Sequence, residues 1–460
     1  MSVVTNRQYT PLFTLDYQYD YKGNITEIES AYDWLPGEVI TQEFTYDSTD
    51  QLVTATGNTE NDSIYSNAIE YGNWGKIQQY DIEITDPLTS NQTINHTDYT
   101  YPTSYINRTQ TLFGVDSSSS NALNFTYDFG INGSLRRKES EGNSEYYLFN
   151  AFNNMKAYSY NGERFGYYGY DASGERTYKI DFDATFSKEN GVISVQSLDV
   201  EKMTLYPNGY VNINQNGEYT KHYYADALRI ASKIGSGFTG NICDSATTID
   251  FFDYLNARIT FVSEIMEDEL NEVVVPTQNI QQINPMPYPT FCNLGPGGQE
   301  TNLFFYHPDH LGSTGMVTDN NANVTQGLFY APFGEIISDY NPSFHDTLMP
   351  NFAFNAKELD EENGMYYYSA RYYAPPTFIS RDPMFEKYPS ISPYTYCANN
   401  PMKFVDPTGK DIYQVVTRAD AAREQSRTAA TKDICGRRAA RPASAGINSI
   451  KIMPRIRASP

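Results

Sequence analysis

The chain has 460 residues, more than one hydrophobic core usually serves, so a set of domains or one repeat array is expected. Charged residues make up 19% and aromatics 15%, with 40 Tyr against 2 Trp, a composition of strands and turns because aromatic rings suit a half-buried pleated surface. The formal charge of −23 excludes nucleic acid and anionic membrane as partners of the main body, since both need clustered Lys and Arg.

Read from the amino terminus, no secretion leader is visible and no stretch reaches the length of a membrane span. The chain starts as if inside a repeat, which suggests an amino-terminal truncation or a split gene. Residues 1–240 carry a recurring unit: aromatic-x-aromatic or Tyr-Asp, a short polar turn with Gly or Asn, then an apolar residue that opens the return strand. Copies are Tyr17–Ile25, Phe44–Leu52, Tyr71–Ile77, Phe125–Leu135, Tyr168–Arg176 and Tyr223–Lys233. Their spacing, roughly 20 to 28 residues or a multiple of it, is that of stacked units. Each reads as a β-hairpin whose alternate aromatics share one face. Asp accepts backbone bonds in the turn and Gly or Asn takes the positive φ. One hairpin cannot bury its own aromatic face, but neighbours in a continuous sheet can.

Residues 241–300 break the pattern. They read as an irregular insertion with a short helix around Ser263–Glu272, then a Pro- and Gly-rich linker. Residues 301–411 return to it with denser motifs. Residues 412–460 form a variable basic tail, predicted to be disordered. Lys410–Pro460 holds eleven Lys and Arg against four Asp and Glu, with one aromatic, Tyr413. Cys243, Cys292, Cys397 and Cys435 are too scattered to define a disulfide framework or a zinc site. His307, Asp309 and His310 could suggest a metal, yet Pro308 lies among them and no third ligand is at hand, so a hydrogen-bonded turn is expected. No metal and no cofactor is implied.

Three segments together resemble the core module of Rhs/YD-repeat proteins: Phe305-Tyr306-His307-Pro308-Asp309-His310-Leu311-Gly312, Tyr330-Ala331-Pro332-Phe333-Gly334, and the series from Gly364 to Gly409. The last includes Ser369-Ala370-Arg371-Tyr372-Tyr373, Arg381-Asp382-Pro383, Cys397-Ala398-Asn399-Asn400-Pro401 and Asp406-Pro407-Thr408-Gly409. The resemblance implies an all-β fold, with hairpins forming a spiralling sheet, a partial hollow shell, and a core module folded inward as a plug. It implies a polymorphic toxin of interbacterial or host interaction, secreted or surface-delivered. The variable carboxy-terminal effector would be its own partner, alongside an immunity protein and a secretion apparatus.

In several members of that family the core cuts its own chain after the DPxG motif by aspartyl-protease chemistry. The matching positions are Asp382, Asp406 and Arg381, with Gly409, Lys410 and Asp411 as the cleavage region. Two carboxylates in hydrogen-bond range cannot both ionise easily, so one acts as acid while the other activates water; Arg381 would orient one of them. This chain has Lys410 where cleaving members usually have Leu. The other reading is structural: Asp382 and Asp406 are turn residues before Pro383 and Pro407. A third reading, an adhesive or carbohydrate-binding surface protein, stays open beside these two.

Overall fold

A computed structural model describes residues 2–4, 11–35, 38–101, 111–116, 123–140, 142–189, 192–214, 218–225, 228–236, 274–275, 302–341 and 352–415. The expected helix at Ser263–Glu272, nearly all of the 241–300 insertion, the tail beyond Val415, and Cys243, Cys292 and Cys435 lie outside the described residues.

The fold is all-β. Among the described residues the helical elements are short 3₁₀ turns such as Asn73–Gly75 and Cys397–Asn399. One sheet holds 24 strands. From Ser2–Val4 through Leu228–Ser236, and on through Asn302–Pro308 to Ile336–Tyr340, each strand pairs antiparallel with its predecessor in the sheet. The short strand Val274–Val275 instead lies parallel to Val192–Asn208. This meander follows from the sequence, because short polar turns between aromatic strands permit only neighbour pairing.

The repeat has a defined turn chemistry. In a five-residue loop the first side chain accepts from the amides of the third and fifth residues, and the fourth residue has positive φ. Asp20 Oδ1 takes Lys22 N and Asn24 N, both at 2.8 Å. Asp171 Oδ1 takes Ser173 N at 2.8 Å and Glu175 N at 3.0 Å. Asp47, Asn150, Asp309 and Asp319 do the same. Gly23, Gly174 and Gly312 occupy the fourth position at φ between 84° and 86°. The ladder register shifts just before these turns, as at Gln18/Tyr19 and Thr45/Tyr46, and the tyrosine there has a second task. Tyr46 Oη donates to Ile25 O at 2.7 Å, Tyr71 Oη to Leu52 O at 2.7 Å, Tyr101 Oη to Ile77 O at 2.6 Å and Tyr170 Oη to Met155 O at 2.7 Å. A shift interrupts the regular backbone ladder, and the phenol of the next repeat supplies a donor at that point.

The sheet curls until its late strands lie over its early ones. Phe13 meets His307 with ring centroids 6.2 Å apart, Tyr32 meets Phe329 at 6.2 Å and Trp34 meets Tyr340 at 5.9 Å. Gly327 is required by this closure, since a Cβ there would stand 2.5 Å from the Trp34 ring. Among the described residues no pairing joins the strand Ile336–Tyr340 back to Ser2–Val4, so the sheet is a spiral and not a closed barrel.

The family-like module, expected as one inward unit over 301–411, divides in the structure. Residues 302–340 extend the sheet, and residues 352–415 leave it to fill its concave side. Phe354, Tyr366, Tyr368, Tyr373, Phe378 and Tyr396 are nearly fully buried in one core with Ile40, Phe44, Tyr65 and Phe333 of the sheet. A second core joins Met365, Tyr372 and Ile379 to Leu135, Tyr147 and Tyr168. A thin sheet has little interior of its own, and this aromatic filling gives its concave face something to bury against.

Candidate functional site

Polar side chains of the filling module fasten it to successive repeat turns. Lys403 Nζ donates to Lys22 O and Asn24 Oδ1, each at 3.0 Å. Asn400 Nδ2 donates to Asp50 O at 2.7 Å, Asn399 Nδ2 to Gly75 O at 2.8 Å, and Tyr394 Oη to Gly133 O at 2.7 Å. The Ala-Asn-Asn-Pro motif thus reads carbonyls of the turns at 47–51 and 72–76, while Lys403 and Tyr394 on either side of it take those of 20–24 and 130–134. Farther along, Arg176 and Lys179 of the strand Arg176–Glu189 enter a buried cluster with Glu358, Asp360 and Glu362.

Asp382 and Asp406 come together, and Arg371 is what joins them. Its Nη2 lies 2.9 Å from Asp406 Oδ2 and 3.2 Å from Asp382 Oδ2. Its Nε donates to Gly409 O at 2.6 Å, and its guanidinium lies 3.5 Å from the centre of the Phe378 ring. Arg371, Asp382 and Asp406 are all buried. Arg381, the arginine expected to orient a carboxylate, instead lies over the Phe385 ring at 4.4 Å. A sign of Arg371 was present in the sequence: a lone cation inside the aromatic run Tyr366–Tyr373 must bury its charge against a partner.

Asp406–Lys410 has the geometry of a repeat turn. Asp406 Oδ1 accepts Thr408 N at 3.3 Å and Lys410 N at 3.0 Å, and Gly409 has φ 69°. A Cβ on Gly409 would stand 2.8 Å from Tyr368 O, so both conformation and space select glycine. Asp382 likewise caps a turn, its Oδ1 accepting Met384 N at 2.6 Å. Burial and Arg371 distinguish this pair from the exposed turn aspartates. Burial raises the Asp382 carboxyl above its usual range against the pull of Arg371 and the Met384 amide. Burial raises Asp406 too, against Arg371 and its own turn amides. The charge on Asp406 adds to the rise at Asp382, while the shared guanidinium opposes it at both. The Gly409–Lys410 bond has its carbonyl oxygen on Arg371 Nε and its nitrogen on Asp406 Oδ1. Lys410 is exposed, while Asp411 takes Lys387 and the Tyr388 hydroxyl.

His307 and His310 each make one hydrogen bond through Nε2. His307 Nε2 bonds Thr318 Oγ1 at 2.8 Å and His310 Nε2 bonds Met402 O at 3.0 Å, with burial lowering both imidazoles.

A part of this chain is 31% identical, over 139 residues, to the toxin protein Tse5 of Pseudomonas aeruginosa, covering 30% of the chain and 10% of that protein. Part of this chain is similar to a toxin. Another match, 40% identical over 106 residues, is to salivary gland surface protein 1 of Aedes aegypti, covering 22% of the chain and 3% of that protein. No family model matches. Among solved structures, the TcdB2-TccC3 crystal structure is similar at TM-score 0.48 and 14% identity, over 86% of this chain and 19% of that one. The Tc holotoxin pore of Photorhabdus luminescens is similar at TM-score 0.36 and 13% identity, over 89% and 21%. The chain spans a tenth or less of the curated relatives and about a fifth of these structures.

Proposed function

We propose that this chain is the shell-forming part of a toxin, which holds and presents the segment that follows its core module. The observation that carries this reading is the fastening of residues 352–415 to four repeat turns across the concave face of a curled sheet. A shell built this way fixes where the chain leaves the module. On this reading its partners are its own carboxy-terminal segment, an immunity protein and a secretion apparatus, and the intact parent acts outside the producing cell. Electron microscopy of the purified chain is expected to show one compact curved particle. Extended or multi-lobed particles would refute it.

The arrangement around Arg371 favours a second, single-turnover activity: hydrolysis of the Gly409–Lys410 bond. Asp382 would take a proton from a water whose oxygen bonds to the Gly409 carbonyl carbon, while Arg371 stabilises the charge growing on the carbonyl oxygen. The carbon–nitrogen bond then breaks as Asp406 delivers its proton to the Lys410 nitrogen, leaving a free carboxylate and amine. Intact-mass spectrometry should find two fragments that part after Gly409, absent in Asp382→Asn. A single uncut mass after prolonged incubation speaks for the turn role alone.

A further inference from the structure

Away from the aspartate pair, a cavity of about 370 Å³ lies between the sheet and the filling module. Its wall includes Arg229, His222, Lys357 and Phe352. Arg229 stacks on Phe352, with its guanidinium 3.1 Å from the ring centre. One nitrogen, Nη2, donates to Tyr224 Oη at 2.9 Å. Nε and Nη1 have no hydrogen-bond partner, although the residue is only 7% exposed. No carboxylate among the described residues pairs with it. A buried guanidinium with two idle nitrogens is costly unless an anion joins it.

The neighbours point the same way. His222, only 4% exposed, bonds Ser232 Oγ through Nδ1 at 2.8 Å and leaves Nε2 without a partner. Its ring packs edge-on against Phe352 with centroids 5.1 Å apart. Nε2 is thus a third idle nitrogen, and it is a donor in the tautomer in which Ser232 Oγ donates to Nδ1. Lys357 Nζ reaches Pro407 O at 2.5 Å, and burial draws its ammonium down to about 8. Three acidic residues also line the cavity: Asp171, Glu175 and Glu358. Asp171 is bound to its own turn amides, and Glu358 is held by Arg176 and the Tyr206 hydroxyl. Glu175 remains as partial balance for Lys357.

We propose that this cavity is a binding site for a small oxyanion, phosphate or carboxylate, received by Arg229 and His222 with Lys357 beside them. A planar fork plus a neutral donor suits an acceptor with several oxygens better than a halide, because each idle N–H then finds its own lone pair. Occupancy would tie the strand Leu228–Ser236 to the module through Phe352 and Lys357, whose ammonium also holds the turn at Asp406–Lys410.

The test is isothermal titration of the full chain with inorganic phosphate, and separately with acetate, at constant ionic strength set by chloride. Phosphate or acetate should bind in the millimolar range or tighter and raise the thermal midpoint. Whichever of the two gives the larger effect identifies the oxyanion shape. Arg229→Lys keeps the charge but lacks the fork, and should weaken binding about tenfold or more, equivalent to about 1.4 kcal/mol. His222→Asn should weaken it less. Far-ultraviolet circular dichroism of both variants checks that the sheet is intact. Absence of binding by both anions in the unmodified chain, or binding unchanged in a folded Arg229→Lys variant, would overturn the assignment.

Discussion

Asp360→Asn tests whether the module is held to the sheet by charge. Asp360 is fully buried and accepts from Arg176 Nη1 at 2.5 Å, Lys179 Nζ at 2.8 Å and Tyr372 Oη at 3.0 Å. Burial alone would raise its carboxyl, but Arg176 and Lys179 outweigh that and hold it below the usual range. The amide keeps size and one acceptor, removes the charge, and turns an NH₂ toward two cations. Breaking a buried pair from one side costs ~3–5 kcal/mol. Glu358 and Glu362 remain within reach of the same cations, which places the expected loss near the lower end, about 3 kcal/mol. Glu361→Gln is the matched control. Its pair with Lys202 is exposed, with Glu361 59% accessible, and such pairs contribute ~0–1 kcal/mol. Thermal and urea unfolding followed by circular dichroism should show a clear drop for Asp360→Asn and almost none for Glu361→Gln. Equal effects, or a loss under about 1 kcal/mol for Asp360→Asn, would refute the argument that burial makes this cluster matter.

Burial raises the Asp181 carboxyl from 3.8 to about 8, and nearby Glu362 adds to the shift. Its folded value is raised, so the stability it contributes is complete below pH 4, falls as pH rises, and is lost once pH passes about 8. Asp181→Asn should therefore flatten the loss of thermal midpoint between pH 5 and pH 9, read by scanning calorimetry across that series. Tyr46→Phe removes the donor on Ile25 O and should cost about 1 kcal/mol, whereas Tyr21→Phe, at a side chain 85% exposed, should be silent in urea unfolding. Asn400→Ala unbinds the module from Asp50 O and Asn24 Oδ1, and should cost about 1–3 kcal/mol and speed limited proteolysis of residues 352–415.

The hairpin meander was readable because its determinants are local. An Asp or Asn opening a loop, a Gly at the fourth position and alternate aromatics each act within five to ten residues. The paired aspartates were readable by resemblance, and the turn reading of Asp406 by the same local rule that governs Asp20 and Asp171. The partner of those aspartates was not. Arg381 is adjacent to Asp382 in the chain, yet its guanidinium goes to Phe385, and Arg371 arrives from just before the strand Tyr372–Ala374. The cluster of Arg176 and Lys179 with Asp360 joins residues more than 180 positions apart, a distance over which single-sequence patterns say nothing.

By itself the sequence determined the all-β class, the repeat unit and the chemistry of its turns, because hydrogen bonds between residues two to four apart need no distant partner. Only the tertiary structure decided where the family-like module divides, which turns Asn399 and Asn400 hold, and which arginine joins the two aspartates. It also buried Arg229 where no carboxylate of the described residues pairs with it. Those outcomes depend on how far the sheet curls, and curl is the sum of small twists over many strands, which no single repeat encodes.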